Sequence, residues 1–175
     1  LTFFDVFDVS TYNFSFSYKN HTGCMNGSPF LSTVPSKRFS FLSVRNLVVC
    51  FSVNIEPKPI KGNWNGNGMH TNFSTNKMRN EGGEDYIKSI CEKFKPAHKE
   101  HIIEYGSKNE ERLTGLHETQ HIDTFSYGVS DRGASIRIPL ALTQKNWKGY
   151  LEDRRPSGNA DPYRVTNRIL TTMES

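Results

Sequence analysis

Cysteine is scarce in this 175-residue chain: Cys24, Cys50 and Cys91 are odd in number and far apart. That excludes a disulfide framework and fits a reducing compartment. Long apolar runs are missing too. No stretch supplies the roughly 20 consecutive apolar residues that a membrane-crossing helix needs; the apolar fraction is 35% and the mean hydropathy −0.62. Lysine and arginine form no run, and no cysteine–histidine spacing matches a zinc finger or knuckle. The net charge of +4 is therefore too scattered to point to nucleic acid and suits small anionic ligands better. Near the N-terminus, Asp5 and Asp8 follow Leu1, with neither a basic segment nor a clean apolar one, so no signal peptide is read. A start at Leu rather than Met is expected to mark a fragment or a processed piece. The triplets beginning at Asn13, Asn20 and Asn26 match the glycosylation pattern but read as chance in a Ser/Thr/Asn-rich stretch.

What is present divides in two. Residues 1–50 are rich in Phe and Ser, carry few charges and hold no functional motif. Short alternations such as Tyr12–Tyr18 predict strands, which Gly23, Gly27, Pro29 and Pro35 would break. This segment reads as a stretch outside the domain that follows. Residues 51–175 have a different texture. Val48 to Ile55 predicts a strand. Ser74 or Thr75 is a candidate helix cap, although Gly82 and Gly83 disfavour the early turns. Ile87, Ile90, Cys91 and Phe94 recur at helical spacing and predict a buried stripe. Pro96 ends that helix and opens another through Ile102 and Ile103 to Gly106. Ser135–Ile138 alternates like a strand with Arg137 on its polar face. Asp161 followed by Pro162 caps a last helix with Val165, Ile169, Leu170 and Met173 on one side.

Three clusters could carry chemistry. The first is residues 62–74, where Gly62, Gly66 and Gly68 let a backbone approach a ligand closely and Asn63, Asn65 and Asn67 bring amide donors and acceptors. It is neither a Walker A loop nor a Gly-x-Gly-x-x-Gly turn. The second is Arg112, Glu118, Arg132, Arg137, Glu152, Arg154 and Arg155. Arginine forks onto carboxylate and phosphate in two-point fashion, and the alternation of Glu152 with Arg154 puts both on one face of an extended segment. Such a set suits a metal–nucleotide–acid site or, alternatively, a solvated charged strand. The third is His117-Glu118-Thr119-Gln120-His121, the zinc-protease pattern His-Glu-x-x-His. That chemistry needs a helix, so that both imidazoles lie one turn apart. Gly115 just before it, and Thr119, Asp123 and Thr124, argue against one. Cys91 reads as a core thiol, and His98 and His101 as packing or surface residues.

Taken in order, Asn-Trp-Asn-Gly-x-Gly-x-His-Thr-Asn-Phe-Ser at 63–74, Arg-Leu-Thr-Gly-x-His-Glu-Thr at 112–119, Asp-Arg-Gly-Ala-Ser-Ile-Arg-Ile-Pro at 131–139 and Gly-Tyr-Leu-Glu-Asp-Arg-Arg-Pro at 149–156 resemble glutamine synthetase of the short eukaryotic type. The likeness runs from about residue 51 to 174. It implies an α+β fold, an antiparallel sheet with packed helices, forming the C-terminal part of that catalytic domain. It implies a glutamate–ammonia ligase that makes γ-glutamyl phosphate from ATP and glutamate and lets ammonia displace the phosphate, with Mg²⁺ or Mn²⁺ as cofactor. His70 and Glu152 match metal ligands. Asn72, Phe73, Ser74, Arg132, Arg137, Tyr150, Leu151 and Glu152 match the ATP site. Asn63, Trp64, Asn65, Gly66, Arg112, Arg132 and Arg154 match the glutamate site. Glu118 and Arg132 match catalytic positions, Glu118 on the flap that closes the site and takes a proton from ammonium. Cytoplasmic location and a homo-oligomeric ring follow from the same likeness.

The departures bear on activity. Residues 1–50 contain no Glu, where the family places several metal-binding glutamates upstream. The family's N-terminal domain is missing, Leu151 stands where an aromatic is usual, and 140–148 is a variant loop. A truncated chain inactive alone is expected. The alternatives are a non-catalytic remnant joining a full synthetase oligomer, and a zinc hydrolase using His117, Glu118 and His121.

Overall fold

The computed structural model describes residues 38–44, 47–52 and 54–175, the first two segments by backbone alone. The alternation at Tyr12–Tyr18 lies outside the described residues. The described chain falls into two compact units. One contains an antiparallel pair, β1 (Arg38–Val44) with β2 (Leu47–Ser52), in the register Arg38↔Ser52 and Val44↔Leu47, with an irregularity between Ser40 and Ser43. The strand expected from Val48 is β2, although it stops at Ser52 rather than Ile55.

The other unit, Glu56–Ser175, holds the four motifs. Its sheet has the order β3 (Thr71–Phe73), β6 (Leu151–Asp153), β5 (Ile136–Ile138), β4 (Tyr127–Val129). Two of the three pairings, β3 with β6 and β6 with β5, are antiparallel, but β4 runs parallel to β5. The sheet is therefore mixed, which corrects the expectation of an antiparallel one; the α+β class stands. The reversal is local. Ser130 takes a left-handed turn, Asp131 accepts from the Gly133 N–H at 2.8 Å, and residues 130–135 carry the chain back to start beside Tyr127. Parallel strands usually need a longer crossover.

Helices cover one face. Thr75 caps α1 (Asn76–Asn80), its hydroxyl accepting from the Met78 N–H at 3.1 Å. Gly82 and Gly83, both at positive φ, end that helix and begin α2 (Glu84–Phe94), so the single helix expected there is two. The stripe of Ile87, Ile90, Cys91 and Phe94 is buried as its spacing predicts. In α3 (His98–Glu104) the buried residues are His98 and His101, while Ile103 is 73% exposed. A 3₁₀ turn follows at Asn109–Glu111. Residues 140–148 include a short helix, α4 (Leu140–Gln144), that buries Leu142. Asp161 caps α5 (Pro162–Glu174), accepting from the Tyr163 N–H, and Val165, Ile169 and Thr172 face inward. Phe73, Ile136, Ile138 and Leu151 from the sheet meet α2 and α5 in one core, with Phe73 stacked on Phe94 at 5.2 Å between ring centroids. Each such side chain stabilises the fold by about 1.5–3 kcal/mol.

Strand alternation positions the site. On β5, Ile136 and Ile138 point into the core and Arg137 points away. The register aligns Asn72, Glu152, Arg137 and Gly128 in one row across the sheet. Asp153, one residue on, faces the core with Ile136 opposite it.

Candidate functional site

Glu152 is the centre of the row. Its Oε2 accepts from Arg137 Nη1 at 2.8 Å, and its Oε1 lies 3.2 Å from Arg154 Nη1 and 3.1 Å from His70 Nδ1. Arg112 donates through Nη2 to His70 Nε2 at 3.2 Å. Because a guanidinium only donates, that imidazole nitrogen accepts, and His70 turns its Nδ1–H toward Glu152. Arg112 is itself buried, fixed by Nη2 to the Arg154 carbonyl at 2.7 Å and by Nη1 to the Arg155 carbonyl at 3.3 Å.

The electrostatics follow from crowding. Burial by itself would raise the Glu152 carboxyl, but His70, Arg154 and Arg137 together hold it down at about 2. Burial lowers the His70 imidazole; the Glu152 hydrogen bond opposes this and the Arg112 and Arg154 charges add to it. Burial, then the neighbouring Arg154, brings Arg112 down to about 10.

The glycine loop completes the pocket. A Cβ on Gly68 would sit 2.5 Å from Arg112 Nη2, and one on Gly66 would sit 2.5 Å from the Pro57 carbonyl. Only glycine lets the loop lie this close over the arginine, and Gly66 also takes a φ of 76°. Asn65, Gly66, Gly68, His70, Arg112, Glu118, Thr119 and Arg154 line a small polar cleft. At its mouth the exposed Glu118 pairs with Arg132 at 3.3 Å. The Arg132 carbonyl accepts from Arg154 Nε at 2.9 Å, and the Glu118 carbonyl from Arg154 Nη2 at 3.4 Å. Arg154 thus ties the rim to the centre.

Other expected residues lie nearby in different settings. Ser74 Oγ donates to the Gly149 carbonyl at 2.6 Å, joining the end of β3 to the turn before Tyr150. Asn72 shares the Glu152 row, and Tyr150 is exposed. Phe73 and Leu151 point their side chains into the core, leaving only backbone toward the row. Asn63 and Asn65 are exposed, and Trp64 donates from Nε1 to the Ile60 carbonyl at 2.8 Å.

The zinc reading fails on local geometry. His117 and Glu118 have φ of 53° and 60°, and residues 117–121 form a turn, not a helix. The two imidazoles therefore do not share a helix face. A divalent cation at Glu152 meets a related difficulty. Hard cations take about six to eight oxygen donors, yet both Glu152 oxygens are taken by His70 and two arginines. No group of three or more His, Cys, Asp and Glu side chains that could hold a metal occurs among the described residues. These residues do not by themselves make a metal site.

A second polar cluster lies under β6, on the core side. Arg155 clasps Asp153 through Nε at 2.9 Å and Nη2 at 2.7 Å. Tyr105 donates to Asp153 Oδ2 at 2.7 Å, so its oxygen accepts from His101 Nδ1 at 2.6 Å. His101 Nε2 then accepts from the Thr172 hydroxyl at 2.8 Å. Burial, reinforced by Arg155, drops His101 to about 3. Arg155 also lies over the rings of Phe94, Tyr105 and Phe125 at 5.2–5.8 Å. The alternation that put Glu152 and Arg154 on one face also placed Asp153 and Arg155 on the other; what the sequence did not signal was Tyr105 and His101 as partners. Cys91 is a core thiol, pushed up to about 12 by burial.

No protein-family model matches the chain. Comparison with curated proteins is more informative. The chain is 58% identical over 121 residues to a glutamine synthetase of Colletotrichum gloeosporioides, 59% over 120 residues to the glutamine synthetase cytosolic isozyme 1-1 of Oryza sativa subsp. japonica, and 58% over 120 residues to a glutamine synthetase of Neurospora crassa. Each match covers 69% of this chain and 33% of the relative, so the chain spans about a third of the length of the enzymes it matches. With nearly three residues in five shared over that span, and with residues from all four motifs gathered at Glu152 and His70, the chain is similar to about a third of a glutamine synthetase.

Proposed function

We propose that residues 51–175 contribute one wall of a glutamate–ammonia ligase site, with residues 1–50 outside it. The observation that carries the reading is the convergence of His70, Arg137 and Arg154 on the single carboxylate of Glu152, with Arg112 holding His70 from behind, beside a cleft roofed by glycine. In the reaction, the γ-carboxylate of glutamate takes the terminal phosphoryl group of ATP, leaving ADP. Ammonia then displaces phosphate from γ-glutamyl phosphate and gives glutamine.

Each residue group has a part in this reading. Asn63, Trp64, Asn65 and Gly66, with Arg112 and Arg154, hold glutamate. Asn72, Phe73, Ser74, Arg137, Tyr150, Leu151 and Glu152 face the nucleotide. Arg132, exposed at the cleft mouth, meets the charge that develops on the transferring phosphoryl group; phosphoryl transfer is mostly positioning and charge neutralisation. Glu118 lies on a turn at the same mouth, supporting a role in excluding water from the acyl phosphate and accepting a proton from ammonium. A divalent cation, Mg²⁺ or Mn²⁺, would screen the phosphates, but its donors would have to come from outside the described residues, because His70 and Glu152 are already engaged with each other and with Arg112, Arg137 and Arg154. A cytoplasmic setting is in keeping with the rice relative, which is named a cytosolic isozyme, and with the absence, among the described residues, of any helix long and apolar enough to cross a membrane. Assembly into a ring belongs to the same proposal.

The shortage of metal donors among the described residues favours a second reading for the chain on its own: a non-catalytic partner that joins a complete synthetase oligomer. A γ-glutamyl transferase assay separates the two. It compares this chain with a version carrying the upstream two-thirds of a relative, and with Glu152→Gln in that version. We expect no turnover from the chain alone, turnover from the extended protein, and at least a hundredfold loss in Glu152→Gln. A folded extended protein with no turnover, or one indifferent to Glu152→Gln, would sink the ligase reading.

A further inference from the structure

The two buried histidines of α3 are in opposite tautomeric settings, and one of them, His98, touches the loop that carries Glu118. His98 Nδ1 accepts from Arg155 Nη1 at 3.1 Å. Its other nitrogen, Nε2, must then carry the hydrogen, and it lies 2.8 Å from the Ile122 carbonyl. Ile122 sits in the loop that carries Glu118, and its own N–H donates to the Leu113 carbonyl at 3.0 Å. The same loop is pinned by Thr119, whose hydroxyl reaches the Arg112 carbonyl at 3.0 Å. His98 is 7% exposed and meets Phe125 edge-on at 5.8 Å. Behind it, Arg155 is clamped by Asp153 and cannot follow a moving loop.

We propose that His98 is a positioning residue that fastens the 114–124 loop, and so the Glu118 carboxylate, to the buried Asp153–Arg155 pair. Arg155 fixes the tautomer; the tautomer supplies the donor; the donor holds Ile122. The catalytic meaning of this fastening rests on the ligase reading, but the fastening itself does not. The charged and titratable groups facing His98 are Asp153 from β6, Arg155 just after it, Asp123 from the loop and His101 from its own helix. Glu118, His121 and Arg154 line the same small cavity.

Two substitutions separate the nitrogens. In His98→Gln the amide nitrogen stands near the Nε2 position and keeps a donor for Ile122. In His98→Asn the side-chain oxygen stands near Nδ1 and keeps an acceptor for Arg155, but the Ile122 carbonyl loses its donor. Hydrogen–deuterium exchange of the whole chain, followed by mass spectrometry, reads the result. His98→Asn is expected to speed exchange in residues 114–124 about tenfold, the size of one lost buried hydrogen bond, with α5 unchanged as the internal reference. His98→Gln is expected to stay within about threefold of the native chain. Equal effects from the two variants would overturn the proposal, because simple packing predicts that. If either variant does not fold, nitrogen–proton correlation spectra of the native imidazoles decide. His98 protonated at Nε2 and His101 at Nδ1 support the fastening; His98 protonated at Nδ1 refutes it. None of these readouts needs turnover, so an inactive protein leaves them intact while removing the ligase reading.

Discussion

Replacing Gly68 by alanine tests how tightly the glycine loop and Arg112 are fitted. The added Cβ would lie 2.5 Å from Arg112 Nη2 and 2.8 Å from both Cζ and Nε. An exposed arginine would swing aside at little cost. Arg112 is 3% exposed and held by His70 and by two carbonyls, so it must either stay and be compressed or leave and forfeit those bonds. Overpacking a tight interior costs about 1–3 kcal/mol, and hydrogen bonds to a charged group are each worth about 1.5–3 kcal/mol. Because the Arg154 carbonyl bond is the shortest and the first at risk, Gly68→Ala is expected to destabilise by about 2–4 kcal/mol. Urea unfolding followed by the fluorescence of Trp64 and Trp147 measures it. A double-mutant cycle with Arg112→Ala isolates the cause: without the guanidinium, the Gly68→Ala penalty should fall below about 0.5 kcal/mol. A full penalty in the Arg112→Ala background, or a loss under about 0.5 kcal/mol in the native one, would refute this account of the roof.

Acid should weaken the fold in a defined window. His101 falls from 6.5 to about 3 on folding, so the unfolded chain binds more protons between those values. Stability is therefore lost as the pH drops through that range, by at most about 5 kcal/mol from this group. His98 and His70 shift in the same direction. Glu152 adds a further loss as the pH falls below its ordinary 4.5 toward about 2. Denaturant midpoints from pH 7.5 to 3 check this; a flat profile would show that these groups are not buried as described. Separately, Thr75→Ala removes the α1 cap and should cost about 1 kcal/mol, read by thermal unfolding, with no change at Glu152.

Much of the helical layer was legible because its chemistry is local. Spacing of three and four residues exposed the inner stripe of α2, and Asp161 with Pro162 marked the start of α5. The four motifs were legible as sequence, and the structure places His70, Arg112, Arg137, Glu152 and Arg154 beside one another. Three features escaped for definable reasons. A three-residue strand alternates identically in either direction, so β4 gave no sign of running parallel to β5. The Gly82–Gly83 pair appeared as a weakness in one helix when it is the joint between two. Asp153 and Thr172 are far in sequence from His101 and Tyr105, and polar residues give no periodic signal of burial; only the tertiary fold shows that they share hydrogen bonds.

Strand β6 has a consequence for how this protein could fail. Four consecutive charged residues, Glu152 to Arg155, are all nearly hidden from solvent, two anchoring the interior and two arming the cleft. Slipping that strand by one position would exchange the pairs, stranding the interior anchors in the cleft and the cleft's charges in apolar surroundings. A misaligned molecule would thus be too unstable to persist, and any molecule that survives carries its carboxylate and guanidinium correctly aimed. The aim of these four side chains is secured by the same event that secures the fold.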